Sequence, residues 1–243
     1  MSSLVRRALV IGCPDKDIPG VRVDMLSYPT FFQSAAGGGW FSSEITVLES
    51  PTEAKVKSEV QKLREADYSI VVFAGHGRYS PAKSTGMLTL SPGVEIDEFE
   101  IKLGAPRRTV IIDACRVLPR RIILDEARAS MEKYARVQDI QASRRIFDSH
   151  MTRCSEGIAM MYGCAIGEAA SEEAEKGGFY SAALLAEGKR WGESSSSTPG
   201  GVLTVSEAHD GAERWVQRST GLAQNPHGVF PRSVPRFPFA VRT

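Results

Sequence analysis

A histidine between glycines, Gly75-His76-Gly77, and a cysteine within Asp113-Ala114-Cys115-Arg116 are the residues of this chain best placed to do chemistry. Each follows a short apolar run, Ser69 to Ala74 in one case and Thr109 to Ile112 in the other. Runs that are brief, continuous and β-branched read as strands covered on both faces. In an open parallel sheet, ligands bind in the crevice beyond the carboxyl ends of the strands. Neighbouring strands run about 4.8 Å apart, so His76 and Cys115 are expected to emerge into one crevice. A thiolate beside an imidazole is a nucleophile with its acid–base partner, the equipment for acyl transfer. The glycines around His76 let backbone approach a substrate closely, and the N–H groups of Gly77 and Cys115 are the candidates for an oxyanion hole. Taken singly, a buried Cys or His is more often a packing residue. Two of them, each just past an apolar strand and flanked by small residues, are not explained by packing.

Asp113 stands two positions before Cys115. Its carboxylate falls at the mouth of the expected crevice, where an acid shielded from water is costly unless it meets a cation. The alternative is an aspartate that only caps the loop after its strand. Asp17 and Asp24, after the first strand, are candidates for a second carboxylate. Cys13 and Cys164 each follow a strand and read as structural thiols. The acidic run Glu168, Glu172, Glu173 and Glu175 matches no EF-hand spacing and reads as a solvated face. His150, His209 and His227 show no partner pattern, no metal site is expected, and no cofactor is called for.

Five runs are expected to form the parallel sheet: Arg7 to Gly12, Glu44 to Leu48, Tyr68 to Ala74, Thr109 to Asp113 and Gly157 to Tyr162. Pro51 to Ala66 reads as a helix capped by Thr52, with Val56, Val60 and Leu63 at helical spacing. Asp97 to Leu103 reads as a short helix, and Phe179 to Trp191 and Val205 to Arg218 as longer ones. Asp15 to Phe41, with Gly37-Gly38-Gly39, is expected to be a long loop. Phe237 to Val241 is expected to close the sheet as an edge strand. Strand and helix in alternation imply right-handed crossovers. The fold class is therefore α/β, a three-layer α/β/α sandwich on a mostly parallel six-stranded sheet with an antiparallel edge strand. Residues 1–243 are read as one domain, with 118–153 a helical insert after Cys115 and 192–201 a flexible loop. The insert's Arg128, Arg136, Arg144 and Arg145 are placed on a solvated face.

The 243 residues are 42% hydrophobic and 24% charged, ordinary for a globular domain. Thirty basic against 29 acidic side chains leave a net charge of +1, a balance in which nothing suggests an electrostatic footprint for nucleic acid or an anionic membrane. No apolar run approaches the roughly 20 residues needed to span a bilayer. Met1 to Arg7 is polar and leads straight into a strand, so no signal peptide is expected. Four cysteines without CxxC pairs read as free thiols in a reducing, cytoplasmic setting.

These motifs resemble those of the caspase-like cysteine peptidases, the superfamily of caspases, metacaspases and their short prokaryotic homologues. That group carries His-Gly after one strand and Asp-X-Cys or Gln-X-Cys after the next; the chain has the aspartate form. Leu9-Val10-Ile11-Gly12 looks like the family's first strand, and Glu175-Lys176-Gly177-Gly178-Phe179-Tyr180-Ser181-Ala182-Ala183-Leu184 like its helix start after the catalytic cysteine. Gln224-Asn225-Pro226 with Phe237-Pro238-Phe239 resembles the tail of many bacterial members. The resemblance implies a Cys115–His76 dyad whose side chains need not touch at rest. By likeness to metacaspases, it also implies an Asp113 pocket that directs cleavage of a protein or peptide substrate after Arg or Lys. It further implies an activating protein partner and a setting in bacterial defence or programmed cell death. Arg120, Arg121, Arg144 and Arg145 become self-cleavage positions if the insert is regulatory. A catalytically silent caspase-like interaction module, or another thiol acyl-transfer enzyme on a flavodoxin-like sheet, would fit the same residues. Oligomeric state is not legible in the sequence.

Overall fold

The computed structural model describes residues 4–116, 139–194 and 200–243. The first strand, β1 (Arg6–Cys13), is buried almost throughout, as its continuous apolar run requires. It leads into α1 (Val21–Gln33), where a loop is expected from sequence. Val21, Asp24, Met25, Tyr28, Phe31 and Phe32 recur at helical spacing and form its buried face. Pro29 inside the helix obscures that pattern in the sequence. Next come β2 (Ile45–Glu49) and α2 (Glu53–Leu63), whose N-terminus is closed by Thr52 Oγ1 accepting from the Lys55 N–H at 3.2 Å. After β3 (Tyr68–Gly75) the chain leaves the main layer in an antiparallel sheet of three strands, β4 (Gly77–Ser80), β5 (Thr85–Ser91) and β6 (Val94–Asp97). A 3₁₀ turn over Glu98–Lys102 returns it to β7 (Arg107–Asp113).

Beyond 138 the described chain resumes with α3 (Ile140–Met151), capped by Asp139, then β8 (Gly157–Tyr162). A two-residue ribbon, β9 (Glu172–Glu173) with β10 (Gly177–Gly178), precedes α4 (Phe179–Glu193). The last elements are β11 (Val202–Thr204), α5 (Val205–Ser219), β12 (His227–Val229) and β13 (Pro238–Val241). Thr204 and Glu207 form a reciprocal capping box at the start of α5.

The main sheet has the order β12-β8-β7-β3-β1-β2, with every pairing parallel except β12 against β8. It is the mostly parallel six-stranded sheet expected, but its antiparallel edge is His227–Val229. Phe237–Val241 does not take that place: β13 pairs with β11 in a separate ribbon, with all four of its residues buried. Phe237 and Phe239 pack into the aromatic core instead, Phe239 stacked on Phe31 at 5.1 Å.

Alternate strand residues serve opposite faces. Ala8, Val10, Ile70, Val72 and Ile111 meet α1, α3, α4 and α5, while Leu9, Ile11, Val71, Phe73 and Val110 meet α2 and the β5–β6 hairpin. The architecture is thus three layers, α/β/α.

Two further expectations are corrected. Gly192 and Glu193 close α4, with Gly192 buried, so the flexible reading of 192–201 does not hold at its start; residues 195–199 lie outside the described residues. Arg144 is not on a solvated face: its guanidinium bonds both Glu44 oxygens, at 2.8 and 2.6 Å, and the Gly39 carbonyl at 3.2 Å. Held this way in the middle of α3, it is not an open cleavage position, whereas Arg145 is exposed. Arg120, Arg121, Arg128 and Arg136 lie outside the described residues, as does most of the 118–153 insert.

Candidate active site

Strand register aligns the chemistry. In β1 and β3, Cys13 is level with Gly75; in β3 and β7, Ala74 is level with Asp113. Just past these ends three neighbouring strands release Asp15, His76 and Cys115 at the same carboxyl edge of the sheet. One cleft is lined by His76, Cys115, Asp113, Asp24 and Glu172, with Ile18 and Val21 beside them. The structure therefore brings together the two candidate catalytic residues, Asp113 and one of the two candidate second carboxylates. Asp17 is not among the groups lining the cleft; it is exposed, and its N–H donates to Asp15 Oδ1 at 2.8 Å.

Asp113 is buried at the N-terminus of α4. Its Oδ2 accepts the Ser181 N–H at 2.9 Å and the Ser181 hydroxyl at 2.7 Å. Ser181 in turn accepts from the Tyr28 hydroxyl at 3.2 Å. Asp24, on the buried face of α1, accepts the Gly178 N–H at 3.0 Å. Gly177 sits at φ +86°, and a methyl there would collide with the Asp24 carboxylate; one at Gly178 or Gly163 would collide with Asp113. The glycine pair before Phe179 is what lets two carboxylates pack against backbone.

Burial pushes both carboxyls above the ordinary carboxylate range, and for Asp24 the neighbouring Asp113 charge adds to it. Among the described residues neither carboxylate has a Lys, Arg or His within ion-pair distance. Glu172 is shifted upward as well, by burial first, against the pull of the Gly20 N–H, with Asp113 adding to the rise. It is a half-buried wall of the cleft, so the solvated reading of the acidic run fails here. The reading fails also at Glu168, whose carboxylate accepts both the N–H and the side-chain amide of Asn225 at 2.7 Å.

Asn225 and Gln224 act on the site from a distance in sequence. Gln224 is fully buried, donating to the Gly163 carbonyl at 2.7 Å and accepting from the Ser171 N–H at 2.9 Å. The two residues fasten the 163–171 segment whose Ala170 N–H reaches the Cys115 sulfur at 3.3 Å. Burial raises the Cys115 thiol above the usual cysteine range, the Ala170 N–H opposes this, and the Asp113 and Glu172 charges add to the rise. Burial thus favours the neutral thiol at Cys115.

His76 is turned to a partner the sequence does not suggest: its Nε2 lies 2.8 Å from Asp15 Oδ2. Gly77 begins β4 against the Ala114–Cys115 loop, where a methyl would come 2.9 Å from the Cys115 carbonyl oxygen and 3.0 Å from Ala114 Cβ. Cys13, Cys154 and Cys164 are buried and unpaired. His209 is buried and bonded at 2.7 Å to the Tyr180 hydroxyl, and His227 stacks on Tyr162 at 6.4 Å, so both serve packing. Among the described residues no group of three or more His, Cys, Asp or Glu is arranged to hold a metal ion, and no helix is long and apolar enough to cross a membrane.

A family model described as a caspase domain matches residues 5–231 of the chain. Among solved structures, the crystal structure of caspase-1 from Spodoptera frugiperda is similar in fold: the TM-score is 0.58, covering 93% of this chain and 88% of that one, at 13% sequence identity. No curated protein matches the sequence.

Proposed function

The chain belongs to the caspase-domain family of cysteine peptidases, and from that premise we propose that it is an endopeptidase that cuts protein substrates after arginine or lysine. The observation that carries this reading is a cleft holding a cysteine and a histidine beside two buried carboxylates that have no cation partner among the described residues. Burying two acids together is costly, and a guanidinium or ammonium from the substrate would relieve both at once. An aspartate side chain at that position would add a third negative charge, so the acid preference of animal caspases is not expected here.

In the proposed reaction the substrate's basic side chain enters between Asp24 and Asp113, and Glu172 meets it at the wall of the cleft. Cys115 gives its proton to His76 and attacks the scissile carbonyl. The N–H groups of Gly77 and Cys115 receive the oxyanion. His76 returns the proton to the leaving amine, leaving an acyl-cysteine. It then takes a proton from water as the water oxygen adds to the acyl carbon, and returns that proton to the departing Cys115 sulfur, restoring the thiol and the neutral imidazole. The raised thiol supports an enzyme that is quiet until a substrate or a protein partner acts on the cleft. Four unpaired cysteines support a reducing setting such as the cytoplasm. A role in defence or programmed cell death follows from family analogy.

The test is a panel of fluorogenic peptides ending in Arg, Lys, Asp or Leu, run beside Cys115→Ala. Cleavage after Arg or Lys that disappears in the variant upholds the reading, and cleavage after Asp or Leu overturns the pocket assignment. If the panel is silent, an arginine-directed chloromethyl ketone that leaves Cys115 unmodified removes the peptidase reading as well.

A further inference from the structure

Asp15 carries no role in the dyad chemistry, yet its carboxylate is the hydrogen-bond partner of His76. Both of its oxygens are committed. Oδ2 meets His76 Nε2 at 2.8 Å, and Oδ1 accepts the N–H groups of Asp17 at 2.8 Å and Ile18 at 3.1 Å. Those two backbone bonds fix the carboxylate's rotamer, and the turn they close delivers Ile18 to the wall of the cleft. The placement comes from the sheet itself: Cys13 and Gly75 are level in β1 and β3, so the residues just past each strand face one another. The pair therefore rests on two adjacent inner strands of the sheet.

We propose that Asp15 is a positioning residue that locks His76 in one tautomer and one orientation, making the catalytic unit Cys115–His76–Asp15. The inference rests on the peptidase reading of the cleft. An ionised carboxylate can only accept, so the ring proton must sit on Nε2. Nδ1 is then the nitrogen left to serve the cleft. It takes the Cys115 thiol proton, while the Nε2–H stays bonded to Asp15 and the imidazolium forms beside a negative charge. It gives that proton to the leaving amine and ends as it began. Asp15 is held in the ionised form that this role needs. Although burial alone would raise its carboxyl, the bonds from Asp17, His76 and Ile18 keep it below the ordinary range.

The alternative is a surface ion pair of no consequence. His76 and Asp15 are each about two-fifths exposed, and pairs of that exposure contribute little to folding. That weakness makes the test clean, because the fold does not depend on the pair. In serine peptidases, replacing the third residue by its amide leaves the geometry but selects the wrong tautomer, at a cost of about 10⁴ in kcat. Asp15 is more open to water, so a loss on the order of 10- to 100-fold is expected here.

The experiment compares wild type with Asp15→Ala, Asp15→Asn and Asp15→Glu, measuring kcat and KM on an arginine peptide and the ¹⁵N shifts of the His76 ring. Expected are a fall in kcat for the Ala and Asn variants with KM within about two-fold, partial rescue by Glu, and unchanged thermal midpoints. The ring spectrum should change from one Nε2–H tautomer to a mixture in Asp15→Ala. Values of kcat within two-fold of wild type together with identical ring shifts overturn the inference. Should wild type cleave no peptide and an arginine-directed chloromethyl ketone leave Cys115 unmodified, the peptidase reading fails on that ground, and the ring spectra still decide whether Asp15 sets the tautomer: a mixture in Asp15→Ala upholds it, and an unchanged spectrum rejects it.

Discussion

The Asp113 carboxylate accepts both the N–H and the hydroxyl of Ser181, at 2.9 and 2.7 Å, and so ties the end of β7 to the first turn of α4. Helix N-termini favour negative charge, and this one meets a carboxylate two positions before Cys115. The Gly177-Gly178 pair ahead of the helix leaves room for it and for Asp24. The proposed selector and the placement of the helix thereby share one contact.

Asp113→Asn is expected to lower kcat/KM on arginine peptides by about 100-fold, since a neutral amide replaces a desolvated partner of the substrate cation. It should not lower stability at pH 8. Burial raises the folded-state affinity of this carboxyl for its proton, so the stability it contributes is complete below the unfolded value near 4 and is lost as pH rises through the folded one. Thermal midpoints at pH 5 and pH 8 should separate further in wild type than in the variant. Equal separations would remove the buried charge from the account.

The same logic makes substrate binding release protons. A cation between Asp24 and Asp113 favours their ionised forms, which burial disfavours in the empty cleft. Affinity for a reversible argininal peptide should strengthen from pH 6 to pH 8. Calorimetry in two buffers of different ionisation enthalpy should show net proton release. A citrulline analogue of the same shape should show neither effect; if it matches the arginine ligand, charge is not what the pocket reads.

Thiol chemistry should single out Cys115 by access and not by acidity. Burial raises Cys115, but Cys13 is pushed to about 12 and Cys154 to about 11, and Cys164 is raised as well. Of the four, Cys115 alone is not fully buried. At pH 8 iodoacetamide should label Cys115 slowly and leave the other three untouched until the protein is unfolded, as peptide mass spectrometry would read. An arginine-directed chloromethyl ketone should react much faster. Equal rates for the two reagents would argue that the carboxylates do not recruit the cation.

The periodic parts of this fold are legible in the sequence. Five apolar runs and the Thr52-capped helix lie where residue type and spacing put them, because strand and helix burial leave different periods. The elements that escape are those whose local signals conflict with their place. In α1, Pro29 and the glycines after it suggest a loop, yet Val21, Tyr28, Phe31 and Phe32 bury one face of a helix. Read as a helix, the same segment puts Asp24 on the apolar face, a carboxylate where none belongs without a purpose. His227-Gly228-Val229 becomes the sheet's edge because β8 offers an unpaired side, not through propensity of its own. In the site, His76, Cys115 and Asp113 can be read from their strands. Asp15 and Glu172 cannot, because their partners are set by strand register and by the β9–β10 ribbon.

The far end of β1 offers a test of the scaffold apart from the chemistry. Arg6 is fully buried there, donating to the carbonyls of Gly38 and Gly39 at 3.1 and 3.3 Å. Asp148 and Glu44 lie 3.4 and 3.7 Å away, and the Trp40 ring is 4.5 Å from the guanidinium. Burial draws its basicity down to about 10, still a cation at neutral pH. Arg6→Met would take the Arg6 donor from the Gly38 carbonyl, leave the Gly39 carbonyl to Arg144, and leave Asp148 and Glu44 sharing the Arg144 cation, a loss of roughly 3–5 kcal/mol for a broken buried pair. At about 2–4 °C per kcal/mol for a chain of this size, the midpoint should fall by roughly 10 °C. Because β1 carries Arg6 at one end and leads to the cleft at the other, kcat and KM measured well below the midpoint should match wild type. A stable Arg6→Met protein with altered KM would mean that the two ends of the strand are coupled.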